Sequence, residues 1–186
     1  MSAAKKGQMG ALTWLRSHDC PWDINTCINA AYGGHLEVLR YAHEHGCPWD
    51  WDVGYQAAAG GHLEVLQYAH EHGCPLDFES CLPIALGHLD ALIWFRSRGC
   101  PWGINTNYSA TKGGNLEVLR YLHEHGCPWS IMTCYNAAER GHLEVLRYAH
   151  EHGYPWNVDT CLAVAERNGH AEVLEYLRAA QLAQAA

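Results

Sequence analysis

Lysine is scarce in this chain. Only three occur in 186 residues, two of them adjacent near the start (Lys5 and Lys6), and acidic residues outnumber Lys and Arg together by 20 to 12, for a formal charge of −8. No basic stripe exists to neutralise phosphates, so nucleic acid is not an expected partner. Long apolar runs are missing too. Nothing approaches the ~18 residues that a membrane-spanning helix needs, and no membrane association is expected. The opening MSAAKKGQMGALTWLRSHDC has a basic pair but no long apolar core, so no signal peptide is expected. Low-complexity tracts and long linkers are also lacking, which points to a single domain over 1–186.

Cysteine is present, nine times, but without the regularity that obligatory pairing requires. The cysteines fall in columns of a repeat, and Gly54, Asn107 or Tyr154 interrupts those columns. A structural disulfide in every unit does not tolerate such replacement, so reduced thiols and a cytoplasmic or nuclear setting are expected.

Self-similarity dominates everything else. GGHLEVLRYAHEHGCPWD starts at Gly33 and returns as GGHLEVLQYAHEHGCPLD from Gly60, GGNLEVLRYLHEHGCPWS from Gly113 and RGHLEVLRYAHEHGYPWN from Arg140. GHLDALIWFRSRGCPWG from Gly87 is a divergent copy. A half-repeat occupies 7–19, repeats start near 20, 47, 74, 100, 127 and 154, and a capping helix over about 170–184 closes the array. The residue before each Pro (Cys20, Cys47, Cys74, Cys100, Cys127, Tyr154) steps by 27 except for one step of 26, the missing residue lying near Leu86–Gly87.

Each repeat reads as two helices. Asp23, Asp50, Asp77, Gly103, Ser130 and Asn157 are favoured N-caps for a first helix. The Trp or Leu before each cap (Trp22, Trp49, Leu76, Trp102, Trp129, Trp156) is placed for a hydrophobic staple onto the fourth helical position. Ile24, Cys27, Ile28 and Ala31 follow the i, i+3, i+4, i+7 spacing of an inward face. A second helix runs from about His35 to His45 and ends at Gly46, with Leu36, Leu39, Ala42 and His43 inward. Neither helix exceeds about three turns, too short to persist alone in water, so stability must come from stacking. The fold expected is an all-α solenoid with six first and seven second helices.

GHLEVLRYAHEHGC and AAYGGHLEV resemble the second helix and inter-helix turn of ankyrin repeats, over residues from about 7 to 180. The period is shorter than the ankyrin unit of about 33 residues. NTCI stands where a Thr-Pro-Leu-His turn belongs, and CPWD leads straight into the next helix without a hairpin. The sequence looks like the short CPWD-type variant of giant viruses and algae. The resemblance implies a non-catalytic scaffold that binds a protein partner, with the first helices lining a concave face.

Three other readings deserve weighing. Cys20, Cys27, His43 and Cys47 have the chemistry of a structural zinc set, but the later units lose one or more ligands, so no metal or other cofactor is expected. His43 and Cys47 resemble a nucleophile pair, yet catalysis needs one pocket and a third group orienting the base, whereas the repeat spreads such pairs evenly and no catalytic motif occurs; an enzyme is not expected. The aromatic column Trp14, Tyr41, Tyr68, Trp94, Tyr121, Tyr148 and Tyr176 is filled in every copy, which suits packing between repeats.

What varies marks the candidate binding surface. Counted from each cap, slots two, six and nine of the first helix lie beside the apolar stripe. They hold Asn25, Asn29 and Tyr32; Asp52, Gln56 and Ala59; Glu79, Pro83 and Leu86; Asn105, Ser109 and Lys112; Met132, Asn136 and Glu139; Asp159, Ala163 and Glu166. All except Pro83 and Ala163 are candidate contacts for a protein partner of a monomeric chain. The alternatives are a zinc-stabilised structural module and an adaptor fragment of a larger protein.

Overall fold

The computed structural model describes residues 3–75, 87–102, 104–128 and 130–184, without the side chains of residues 104, 105 and 184. All regular structure among these residues is helical. A 3₁₀ turn, Ala4–Lys6, precedes twelve α-helices: α1 Met9–Ser17, α2 Ile24–Tyr32, α3 Leu36–Glu44, α4 Trp51–Ala59, α5 Leu63–Glu71, α6 Leu89–Ser97, α7 Ile104–Gly113, α8 Leu116–Glu124, α9 Met132–Arg140, α10 Leu143–Glu151, α11 Val158–Asn168 and α12 Ala171–Gln184. The chain forms two compact units, 1–84 with 88–100 and 85–87 with 101–186. The first unit contains α1 to α6 and the second α7 to α12. The expected cap Asp77 and the candidates Glu79, Pro83 and Leu86 lie outside the described residues, as does the cap Gly103.

The short polar caps hold the first helices as their chemistry requires. Asp23 accepts from the Asn25 amide at 3.1 Å, Asp50 from Asp52 at 3.0 Å and Asn157 from Thr160 at 3.0 Å. Ser130 accepts from the Met132 amide at 3.2 Å. Such caps each contribute about 0.5–2 kcal/mol. Second helices end alike: the Gly46 amide returns to His43 O at 3.0 Å and the Cys47 amide to Ala42 O at 2.9 Å. Gly46 has φ +81°, where a Cβ costs free energy.

In the first unit α2 packs against α4 and α3 against α5; in the second, α9 packs between α7 and α11, and α10 against α8. The buried residues are small on the first helices and larger on the second. Cys27, Ala30 and Ala31 line α2, and Val38, Leu39 and Ala42 line α3. The inward stripe is therefore shifted from expectation: Ile24, Ile28, Leu36 and His43 are half-buried. Small side chains let the helices approach closely, and adjacent repeats complete each other's core.

A histidine ladder ties successive repeats together. Nε2 of His35 lies 3.0 Å from Lys5 O, that of His62 3.1 Å from Tyr32 O, that of His142 3.2 Å from Lys112 O and that of His170 2.9 Å from Glu139 O. A carbonyl only accepts, so these nitrogens donate. At the same position in the repeat, Asn115 caps α8, its Oδ1 accepting from the Val118 amide at 3.0 Å.

Four of the tryptophans meet a second helix or its C-terminal cap. Trp22 Nε1 donates to His45 O at 2.8 Å and Trp102 Nε1 to His125 O at 3.0 Å. Trp49 stacks on His43 with ring centroids 3.7 Å apart, and Trp156 lies on His150 at 4.1 Å. A half-buried indole needs an acceptor, and the last turn of a second helix offers free carbonyls.

Candidate functional site

The variable slots rest on a frame that the ladder fixes. The carbonyls reached by His62, His142 and His170 belong to Tyr32, Lys112 and Glu139, the slot-nine residues at the ends of α2, α7 and α9. Their backbones are held by the repeat while their side chains differ.

In the first unit, Asn25 and Tyr32 are exposed, and Asn29, Asp52, Gln56 and Ala59 are half-buried. The polar ones support each other along their helices. Asn25 Nδ2 donates to Asp23 at 2.8 Å, Asn29 Nδ2 to Asn25 O at 2.7 Å, and Gln56 Nε2 to Asp52 at 3.1 Å. The Lys5 ammonium sits 4.5 Å from the centre of the Tyr32 ring.

In the second unit, Lys112, Met132, Asp159, Ala163 and Glu166 are exposed, and Ser109 and Glu139 half-buried. The Asn105 side chain lies outside the described set. Glu139 meets Arg167 at 3.7 Å and Arg140 at 3.9 Å, and Asp159 accepts from Gln181 at 3.0 Å. Asn136 departs from the expectation. It is only 4% exposed, because α9 is enclosed by α7 and α11 on both sides. It cannot be a contact residue in this conformation.

Slot one was read as part of the inward face, and in two repeats it points elsewhere. Trp51 is 48% exposed and Ile131 is 69% exposed, next to Met132 at 41%. Slot one is apolar in all six copies (Ile24, Trp51, Phe78, Ile104, Ile131, Val158), a signal the sequence contained. Ile131 and Met132 are neighbours in the chain, and both side chains are exposed.

The conserved rings belong to packing. Tyr41, Tyr68, Tyr121 and Tyr148 each stack on the histidine four residues later, with centroids 3.9–4.1 Å apart, and that histidine's Nδ1 lies 2.8 Å from the tyrosine's own carbonyl. Arg40 lies over Tyr68 and Arg120 over Tyr148, from the preceding repeat.

The cysteine and histidine sets are separate features. Among the described residues no three His, Cys, Asp or Glu side chains converge as a metal site would require. His43 is surrounded by rings, Trp49, Tyr68 and His72, while Cys47 Sγ lies 3.4 Å from Asp23 O. The reduced-thiol expectation is corrected at one position: Cys100 is disulfide-bonded, whereas Cys20, Cys27, Cys47, Cys74, Cys134 and Cys161 are free thiols. Interrupted columns argue against a bond in every repeat but leave a bond in one repeat open. Burial pushes the Cys134 thiol up to about 12 and the Cys161 thiol up to about 11, so neither is a ready nucleophile.

Residues 134–178 match the family model for ankyrin repeats (many copies). Among solved structures, the chain is similar to the human ASB11 ankyrin repeat domain, with a TM-score of 0.70 and 17% identity, over 94% of this chain and 95% of that one. No curated protein gives a significant match. Among the described residues no helix is long and apolar enough to cross a membrane.

Proposed function

We propose that this chain, which has the all-helical ankyrin-repeat solenoid fold and ankyrin repeats over residues 134–178, is a non-catalytic scaffold that binds a protein partner through its first helices. Ankyrin repeats are generally protein–protein interaction modules, and the fold is typically a scaffold without catalysis. The finer statement rests on one observation. A near-invariant frame of histidine ladder, tyrosine stack and glycine caps carries first helices whose exposed side chains differ from repeat to repeat.

The two units supply different chemistry to a partner. The first offers amides and rings, with Asn25, Tyr32 and Trp51 exposed. The second offers an apolar pair, Ile131 and Met132, together with the carboxylates of Asp159 and Glu166. An apolar anchor ringed by polar groups is the usual anatomy of a binding hot spot. The surface favours a protein segment with apolar side chains and a basic flank. A cytoplasmic or nuclear setting belongs to the same reading.

The test is affinity capture with three versions of the full chain: wild type, the pair Ile131→Ser with Met132→Ser, and Arg120→Glu on a second helix. The reading predicts a protein retained by wild type and Arg120→Glu but depleted by the double variant. Partners held equally by all three, or lost only with Arg120→Glu, contradict it.

A further inference from the structure

Between α10 and α12 the second helices leave a groove. Leu143 and Arg147 of α10 and Glu172, Glu175, Tyr176 and Ala179 of α12 line a space of about 480 Å³, within the ~300–1,000 Å³ of ordinary ligand sites. Leu143 and Tyr176 are half-buried in it. The Tyr176 hydroxyl is held by His150 Nδ1 at 2.7 Å, and the Arg147 guanidinium lies 5.6 Å from the centre of the Tyr176 ring.

The groove opens where α12 departs from the other repeats. The position of Ala179 holds glutamate in four of them, Glu44, Glu71, Glu124 and Glu151, so α12 lacks a long side chain at this point. Glu175 stands where Arg40, Arg120 and Arg147 stand. In α10 the residues one turn apart, Glu144 and Arg147, form an ion pair at 3.6 Å. In α12 the same spacing holds two carboxylates, Glu172 and Glu175. Like charges one turn apart on a helix repel. Both are exposed, and among the described residues neither has an ion-pair partner.

We infer that this groove docks a basic side chain, lysine or arginine, presented by a protein segment. The aliphatic stem lies along Leu143, Tyr176 and Ala179, and the cationic head meets Glu172 and Glu175. Long basic side chains bury their methylenes on apolar surface in this way and keep the charge at the rim. Charge complementarity selects the occupant. The one guanidinium at the rim, Arg147, is already offset by Glu144, which leaves two carboxylates without a counter-charge. An acidic segment would bring like charge to the same place. The lining belongs to second helices alone, so the site is independent of the first-helix surface.

The test pans random dodecapeptides displayed on phage against the full folded chain. Enriched peptides are synthesised and titrated into the protein by NMR. They should carry Lys or Arg beside an apolar residue and shift the amides of the lining residues. Ala179→Glu is the decisive variant, because it restores the side chain of four other repeats, fills the groove and makes the rim more negative. Coulombic attraction alone would strengthen binding to it, whereas docking in the groove weakens binding by roughly tenfold or more. Glu172→Gln with Glu175→Gln should weaken binding to a similar extent, and Ile131→Ser with Met132→Ser should leave it unchanged. Circular dichroism checks that each variant is folded. The inference is overturned if no peptide is enriched, if the enriched ones lack a basic residue, or if their binding survives Ala179→Glu. Loss of binding only with the first-helix pair overturns it too. So does a dimer, seen by sedimentation without peptide, that Ala179→Glu dissociates, since the occupant is then a second copy.

Discussion

Nε2 of His170 donates to the carbonyl oxygen of Glu139 across 2.9 Å, joining the opening of α12 to the end of α9 thirty-one residues earlier. The ring fits because Gly141 has no side chain. A Cβ there would stand 2.7 Å from His170 Nδ1, and Gly141 holds φ +76°. Backbone conformation and ladder contact thus depend on the same glycine.

Gly141→Ala should therefore lose stability on two counts, left-handed strain and displacement of the ladder, together about 2–4 kcal/mol. Gly153 is the control, with φ +74° and no heavy atom within 4 Å of an added Cβ. Gly153→Ala should lose only the strain, about 1–2 kcal/mol. Urea unfolding of both measures the difference; equal losses would remove the ladder from the account.

Stability should fall in mild acid. Burial first, and then the neighbouring His72, lowers the His43 pKa below its ordinary 6.5, against a smaller opposing effect of Glu44. His123 is lowered in the same way by burial and His152, against Glu124. The folded state then binds fewer protons than the unfolded chain, so this stability is present above pH 6.5 and is lost as pH falls through the lowered values. Melting temperature followed from pH 7.5 to 5 should drop, and the double variant His43→Gln with His123→Gln should drop less. Parallel curves would show that these rings do not titrate with folding.

Core and surface should separate cleanly. Leu119 is fully buried in a cluster with Cys134, Ala137, Leu146 and Val164, so Leu119→Ala should cost about 2–5 kcal/mol through the cavity left behind. The exposed pair Ile131→Ser with Met132→Ser should change stability by no more than ~0.5 kcal/mol each. Thermal or denaturant unfolding compares them. A core-sized loss from the surface pair would mean that these side chains support the fold.

Much of this architecture is legible in the sequence because the repeat states it several times. The caps Asp23, Asp50, Ser130 and Asn157 and the stops at Gly46 and Gly126 are local chemistry, repeated at a fixed period. What the period does not specify is where a side chain leans. Trp22 finds the His45 carbonyl at the end of a second helix, a partner that the repeat length does not name. Asn136 is covered by neighbours on both sides. Slot one looked inward at Ile24, yet Trp51 and Ile131 stand in solvent at the same register. Burial beside a stripe depends on the separation of neighbouring helices, and a repeat length alone does not fix that.

The central claim is that the exposed first-helix side chains are the working surface. Its most direct test is the dissociation constant of the captured partner for wild type, for Ile131→Ser with Met132→Ser, and for Arg120→Glu, measured by isothermal titration calorimetry with folding checked by circular dichroism. Truncating an apolar hot-spot pair should weaken binding by roughly tenfold or more, corresponding to at least about 1.4 kcal/mol, while Arg120→Glu stays close to wild type. Unchanged affinity in the double variant, with loss in Arg120→Glu, would place the binding surface on the second helices and contradict the account.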